Sequence, residues 1–165
     1  MSYFSLIYLG IFSLIISILS FFNIIYSYYF NLYLSIDSYV YSLILSLITG
    51  SIFLFKKKDN YKVIIYHKII TVIVGYFLLP LILSIPFYFS IYDISFLDSY
   101  FEAISGFTST GFTIFENIKH LDQSLILWRS STQWIGGLYF LFSIILLIDI
   151  FDNNLKKSLT NFIAF

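Results

Sequence analysis

The sequence predicts an all-α integral membrane protein. Two N-terminal transmembrane helices occupy residues 1–60, and one helix–re-entrant loop–helix repeat occupies residues 61–165. Three observations carry this prediction. Four stretches, 1–36, 38–55, 69–92 and 130–148, contain no charged side chain, and each meets or approaches the roughly 20 apolar residues that cross a hydrocarbon core. Only 11% of the 165 residues are charged and the mean hydropathy is +0.91, whereas soluble domains carry about 25% charged residues. Finally, the stretch from Asp93 to Trp128 is too polar to span yet too apolar for an ordinary external loop.

The first helix is expected over about Tyr3 to Tyr28. It has no positively charged leader and no small-residue cleavage site, so it reads as a retained helix and not as a signal peptide. Tyr26, Tyr28, Tyr29 and Tyr33 mark its interfacial end, because a tyrosine ring is apolar and its hydroxyl seeks water. Asp37 falls in the turn that follows. The second helix runs from Ser38 to Phe55 and stops at Lys56-Lys57-Lys58-Asp59-Asn60. The third is expected from about Ile69 to Phe89, kinked and not broken by Pro80 and Pro86, since membrane helices tolerate proline where neighbours satisfy the freed carbonyls. The fourth span covers about Ser130 to Ile148, with Asp149 and Asp152 as helix-end charges.

Orientation follows from the lysines. Lys56, Lys57, Lys58, Lys62 and Lys68 lie between the second and third helices, and Lys156 and Lys157 follow the last. Basic loops stay in the cytoplasm, so both ends of the chain are expected on the cytoplasmic side of a cytoplasmic (inner) membrane crossed four times.

Several function classes are excluded. With no net charge and no basic run beyond three lysines, nothing marks a nucleic-acid partner; the expected partner is membrane lipid. Cysteine is absent, and His67 and His120 sit in separate polar loops, so no cofactor or resident metal is expected. The carboxylates are scattered and no nucleophile–base pair is visible, which argues against an enzyme. The abundance of Ile, Phe, Tyr, Asn, Lys and Ser reads as a compositional bias of AT-rich coding sequence.

Within the anomalous stretch, Phe96 to Phe107 has helical spacing of apolar residues, with Asp98 and Glu102 one turn apart. Gly106-Phe107-Thr108-Ser109-Thr110-Gly111-Phe112-Thr113 follows. The residues alone fit two readings equally: a re-entrant segment, or an amphipathic surface helix with an external turn. In the first, non-helical backbone at membrane depth must be buried or line a water-filled cavity. Backbone carbonyls there can replace the hydration shell of an alkali cation, and Gly111 supplies the conformational freedom that such a loop needs. Thr108, Ser109, Thr110 and Thr113 offer bracing hydroxyls, and the helix aims its partially negative C-terminal end at the loop.

The run Phe101-Glu102-Ala103-Ile104-Ser105-Gly106-Phe107-Thr108-Ser109-Thr110-Gly111-Phe112-Thr113 resembles the first pore segment of the Trk/Ktr/HKT potassium transporter superfamily. Ser124 to Gly137, containing Trp128-Arg129 and Gln133-Trp134-Ile135-Gly136-Gly137, resembles the helix that follows it in Trk-type members. The resemblance implies potassium uptake, with the backbone of Ser109, Thr110, Gly111, Phe112 and Thr113 forming a quarter of a selectivity filter. The transported potassium ion would sit near Thr110 and Gly111, with Thr108, Glu102 and Arg129 supporting the loop. It further implies four such repeats in one polypeptide, a homodimer of the full-length protein, and a cytoplasmic nucleotide-binding regulatory subunit. The chain ends at Phe165 after one repeat, so it is expected to be an N-terminal fragment or truncated product. Its rivals are a homotetrameric cation channel subunit and a non-conducting membrane anchor. Arg129 fits either an ion pair with Glu102 or Asp122, or an interfacial anchor beside Trp128. Gly136-Gly137 fits close helix packing or a hinge.

Overall fold

Lipid offers no hydrogen-bond partner, so an apolar run must satisfy its own backbone, and these runs do so as helices. The computed structural model describes residues 3–55, 65–118 and 121–163. The described residues form helices α1 (Tyr3–Tyr29), α2 (Ile36–Phe55), α3 (Ile65–Leu83), α4 (Ile85–Ser90), α5 (Phe96–Phe107) and α6 (Gln123–Ile163), with a 3-10 turn at Tyr33–Ser35. Three stretches, Ile7–Tyr29, Tyr33–Phe55 and Tyr66–Ser90, are long and apolar enough to cross a membrane. The fourth expected span falls inside α6. Lys56, Lys57, Lys58, Lys62 and His120 lie outside the described residues.

Helices α1 and α2 form an antiparallel hairpin. Its turn is closed by Asn31 in the left-handed region (φ 58°), with the Leu32 N–H donating to the Ser27 carbonyl at 2.8 Å and the Asn31 N–H to Tyr28 at 3.3 Å. That pairing is a Schellman cap, and asparagine is one of the few residues that tolerates its left-handed position. The seam between the helices is built from small polar residues. Ser13, Ser17, Ser20, Asn23 and Ser27 are buried on one face of α1, and Ser38, Ser42, Ser46 and Gly50 on one face of α2. Ser20 Oγ donates to Ser42 Oγ at 3.2 Å, and Gly10 and Gly50 face one another so closely that an added Cβ on either meets the other's carbonyl oxygen at 3.2–3.3 Å. Small side chains let the backbones approach where no hydrophobic force separates protein from lipid. Some of the serines that read as compositional bias therefore have a structural place in this seam.

The third element departs from a single kinked helix. It divides at Ser84, although the Ser84 N–H still reaches the Pro80 carbonyl at 2.9 Å and the Tyr88 N–H reaches Ser84 at 3.0 Å. Pro86 falls at the start of α4, where its missing N–H does least harm to the helix that follows. His67 lies in the first turn of α3 and not in a loop, and Asp37 lies in the first turn of α2, where a negative charge suits the helix N-terminus. Helix α6 does not end near Ile148. It continues for 41 residues, about 60 Å at 1.5 Å per residue, so the Asp149, Asp152, Lys156 and Lys157 positions fall within the helix and not after it.

Helix α5 has only 12 residues, about 18 Å, too short for a core about 30 Å thick. It packs between α3 and α6. Its last residue, Phe107, lies against Gly136, which is roughly 20 Å along α6 from Gln123. The end of α5 is therefore deep, and the chain between α5 and α6 must climb back to where α6 begins. Of the two readings open to the residues, the geometry is the re-entrant one. The close approach requires glycine at both contacts: a Cβ on Gly136 would overlap the Phe107 carbonyl, and one on Gly106 would overlap Thr132 Oγ1.

Beneath this junction Tyr139 packs among Phe12, Tyr76 and Phe107, with ring centroids 4.9–5.3 Å away. Its hydroxyl donates to the carbonyls of Val72 (3.0 Å) and Thr71 (3.2 Å), in the space that Gly75 leaves open. Trp128, Tyr39, Leu79, Leu83, Phe87 and Ile135 complete the buried core.

Candidate functional site

The loop begins with a cap. Ser95 starts α5 by accepting the Asp98 N–H at 3.1 Å. At the other end the Thr110 N–H donates to the Ser105 carbonyl (3.1 Å) and the Ser109 N–H to Gly106 (3.0 Å), with Ser109 in the left-handed region at φ 57°. This is again a Schellman cap, but on a residue with a Cβ, where glycine is usual. Two residues later Gly111 is also left-handed, at φ 79°, and nothing lies within 4 Å of where its Cβ would point. Residues Ser109 to Phe112 are exposed. Two left-handed residues so close together give an irregular, open turn at depth, a geometry that the protein must hold by side chains.

Glu102 supplies the main hold. It is completely buried, and it gathers three donors: Arg129 Nε at 2.5 Å, Thr113 Oγ1 at 3.0 Å, and the Ile114 N–H at 3.2 Å. Thr113 Oγ1 also accepts the Phe115 N–H at 3.2 Å. One carboxylate thus ties together α5, the returning arm of the loop and α6. A buried charge is costly unless paired and hydrogen-bonded, and both conditions hold here. Among the two partners the sequence allowed, Arg129 takes Glu102. Asp122 instead begins α6, accepting the Ser124 N–H at 3.0 Å. With its side chain only 14% exposed, Arg129 is not an interfacial anchor.

The remaining expected residues divide. Thr108 mainly returns its hydroxyl to its own helix, at Ile104 (2.7 Å), and touches Thr110 Oγ1 at 3.3 Å. Thr110 Oγ1 donates to the Ser105 carbonyl at 3.2 Å. The Phe112 side chain is 70% exposed, while its carbonyl accepts from Ser105 Oγ at 2.6 Å. Ser105 is the residue that the sequence reading missed. Its hydroxyl reaches both Phe112 and Thr110, the latter at 3.1 Å. The signal was present: position 105 lies one turn from Glu102 and faces the same loop. Gly137, unlike Gly136, has nothing within 4 Å of its missing Cβ. It borders a cavity of about 410 Å³ whose wall includes Thr108, Ser109, Tyr76 and Phe140.

A transmembrane helix, a half-length re-entrant helix, an open glycine-containing loop and a long returning helix define a membrane protein of the re-entrant-loop class. The family model described as TrkH, cation transport protein, matches residues 35–161, and the chain belongs to that family. It is a family of transporters and not of enzymes. The chain is 36% identical over 81 residues to an uncharacterized cation transporter of Methanocaldococcus jannaschii, covering 49% of this chain and 17% of that protein. It is 40% identical over 60 residues (36% of this chain, 11% of the relative) to the Trk system potassium uptake protein TrkI of Halomonas elongata. With the Trk system potassium uptake protein TrkG of Escherichia coli it shares 27% identity over 101 residues, 61% of this chain and 21% of the relative. The matched regions thus span less than a quarter of these relatives. No solved structure matches the chain.

Proposed function

We propose that this chain contributes to potassium uptake, with the backbone of residues 109–113 forming one quarter of a selectivity filter centred on Gly111. The observation that carries the reading is the exposed, doubly left-handed turn at Ser109 and Gly111, anchored by the buried Glu102–Arg129 pair. Backbone carbonyls in such a turn can take the place of a cation's hydration shell. Two of the relatives are potassium uptake proteins of Trk systems, which favours potassium as the cation. Four such loops would surround the ion, and the resemblance supplies them as four repeats of one polypeptide, assembled as a dimer with a cytoplasmic nucleotide-binding partner. The lysine-rich segments and both ends of this chain face the cytoplasm in this reading.

The test is Gly111→Ala in the native protein, with potassium uptake measured against competing sodium. Nothing obstructs the added methyl, and the left-handed backbone costs about 1–2 kcal/mol, so the protein still assembles while discrimination between the ions falls. Unchanged uptake and discrimination would leave a non-conducting anchor as the better account. Conduction by this chain alone, as a tetramer in liposomes, would favour the single-repeat channel.

A further inference from the structure

Two prolines interrupt the helix pair that precedes the re-entrant segment. Pro80 has no N–H for the Tyr76 carbonyl, and Pro86 has none for Ile82. The bend that each ring forces also loosens the next carbonyl, three residues before the proline. Those two carbonyls belong to Phe77 and Leu83, and each receives a side-chain donor from the repeat that follows. The Tyr100 hydroxyl on α5 donates to the Phe77 carbonyl at 3.1 Å, and Trp128 Nε1–H on α6 donates to the Leu83 carbonyl at 3.0 Å. The register relative to the proline is the same in both. Trp128 is fully buried, and its ring also packs on Tyr39 at 5.6 Å.

The two donors sit beside the two ends of the buried ion pair. Tyr100 precedes Glu102 by two residues on α5, and Trp128 immediately precedes Arg129 on α6. A donor locked onto a fixed carbonyl sets both the depth and the rotation of its own helix. We propose that Tyr100 and Trp128 are positioning residues that use the proline-opened carbonyls of α3 as docking points. Through Glu102 and Arg129 they set the geometry of the loop at Gly111. The assignment rests on the reading of that loop as a filter, and it names how the filter is held.

The experiment uses the native protein in membranes and reads abundance, potassium uptake and the potassium-to-sodium uptake ratio. Tyr100→Phe keeps the ring and removes only the donor, Trp128→Phe removes the donor together with the indole's five-membered ring, and Gly111→Ala serves as the control on the filter itself. Trp128→Phe lowers the ratio roughly fivefold, the factor that one net hydrogen bond supplies, at unchanged abundance. Tyr100→Phe lowers it in the same direction but less, since that residue is only half-buried. Pro86→Ala restores a backbone donor and relaxes the bend, so in that background Trp128→Phe has a smaller effect, limited to the lost ring volume. A wild-type ratio in both aromatic variants, alongside a lowered ratio in Gly111→Ala, overturns the positioning assignment and leaves the filter reading standing. An equal loss from Trp128→Phe with and without Pro86 overturns the docking point. If Trp128→Phe fails to accumulate, Tyr100→Phe decides: a wild-type ratio there overturns the assignment. A wild-type ratio in Gly111→Ala removes the filter reading, and the assignment falls with it.

Discussion

The Glu102–Arg129 pair makes an asymmetric prediction. Arg129→Met removes the guanidinium and leaves a fully buried carboxylate with only the Thr113 hydroxyl and the Ile114 N–H as donors. Breaking a buried pair from one side costs about 3–5 kcal/mol, because the stranded charge keeps its desolvation penalty. Total stability is typically about 5–15 kcal/mol, so that loss is a substantial fraction of the whole. Glu102→Gln differs. The amide oxygen still accepts from the loop, and the Arg129 side chain, already 14% exposed, can turn its long stem toward headgroups. Its cost is nearer 1–2 kcal/mol. The double variant removes both charges and is milder than Arg129→Met alone. Denaturation midpoints of the purified protein in mixed detergent, titrated with sodium dodecyl sulfate, measure all three. Equal midpoints for the two single variants, or a double variant worse than Arg129→Met, would refute the claim that a stranded buried charge governs this site.

Other substitutions separate residues that look alike in sequence. Gly136→Ala forces a methyl onto the Phe107 carbonyl and lowers stability by roughly 1–3 kcal/mol, whereas Gly137→Ala meets nothing and is neutral or stabilising; detergent melting compares them. Ser109→Gly relieves a left-handed residue that bears a Cβ, and the melting temperature rises by an amount corresponding to about 1 kcal/mol. Ser105→Ala removes the donor to the Phe112 carbonyl and the bond to Thr110. Its expected result is a reduced potassium-to-sodium uptake ratio at unchanged membrane abundance, which flame photometry of loaded cells can read.

Sequence alone determined the elements, because each rests on local chemistry. Charge-free runs must become helices in lipid, Phe96–Phe107 has its own helical spacing, and Gly111 announces a backbone that other residues resist. The limits of the helices were less legible. The third helix divides at position 84, just before Pro86, and α6 runs past the charged residues near 149, because polarity alone does not end a helix. Contacts were decided by partners. Arg129 had three plausible fates in sequence, and only the approach of α5 to α6 assigned it to Glu102. The serine seam was invisible for the same reason, and Ser105 was marked only by its place one turn from Glu102: a small hydroxyl residue has no strong pattern of its own until a neighbouring backbone comes within hydrogen-bond reach. Adjacent glycines at 136 and 137 were indistinguishable as letters, yet one faces a carbonyl and the other a cavity. What the chain must form was written in its composition and periodicity. Which groups meet was decided by tertiary contact, since hydrogen bonds and ion pairs depend on ångström distances that one-dimensional spacing does not contain.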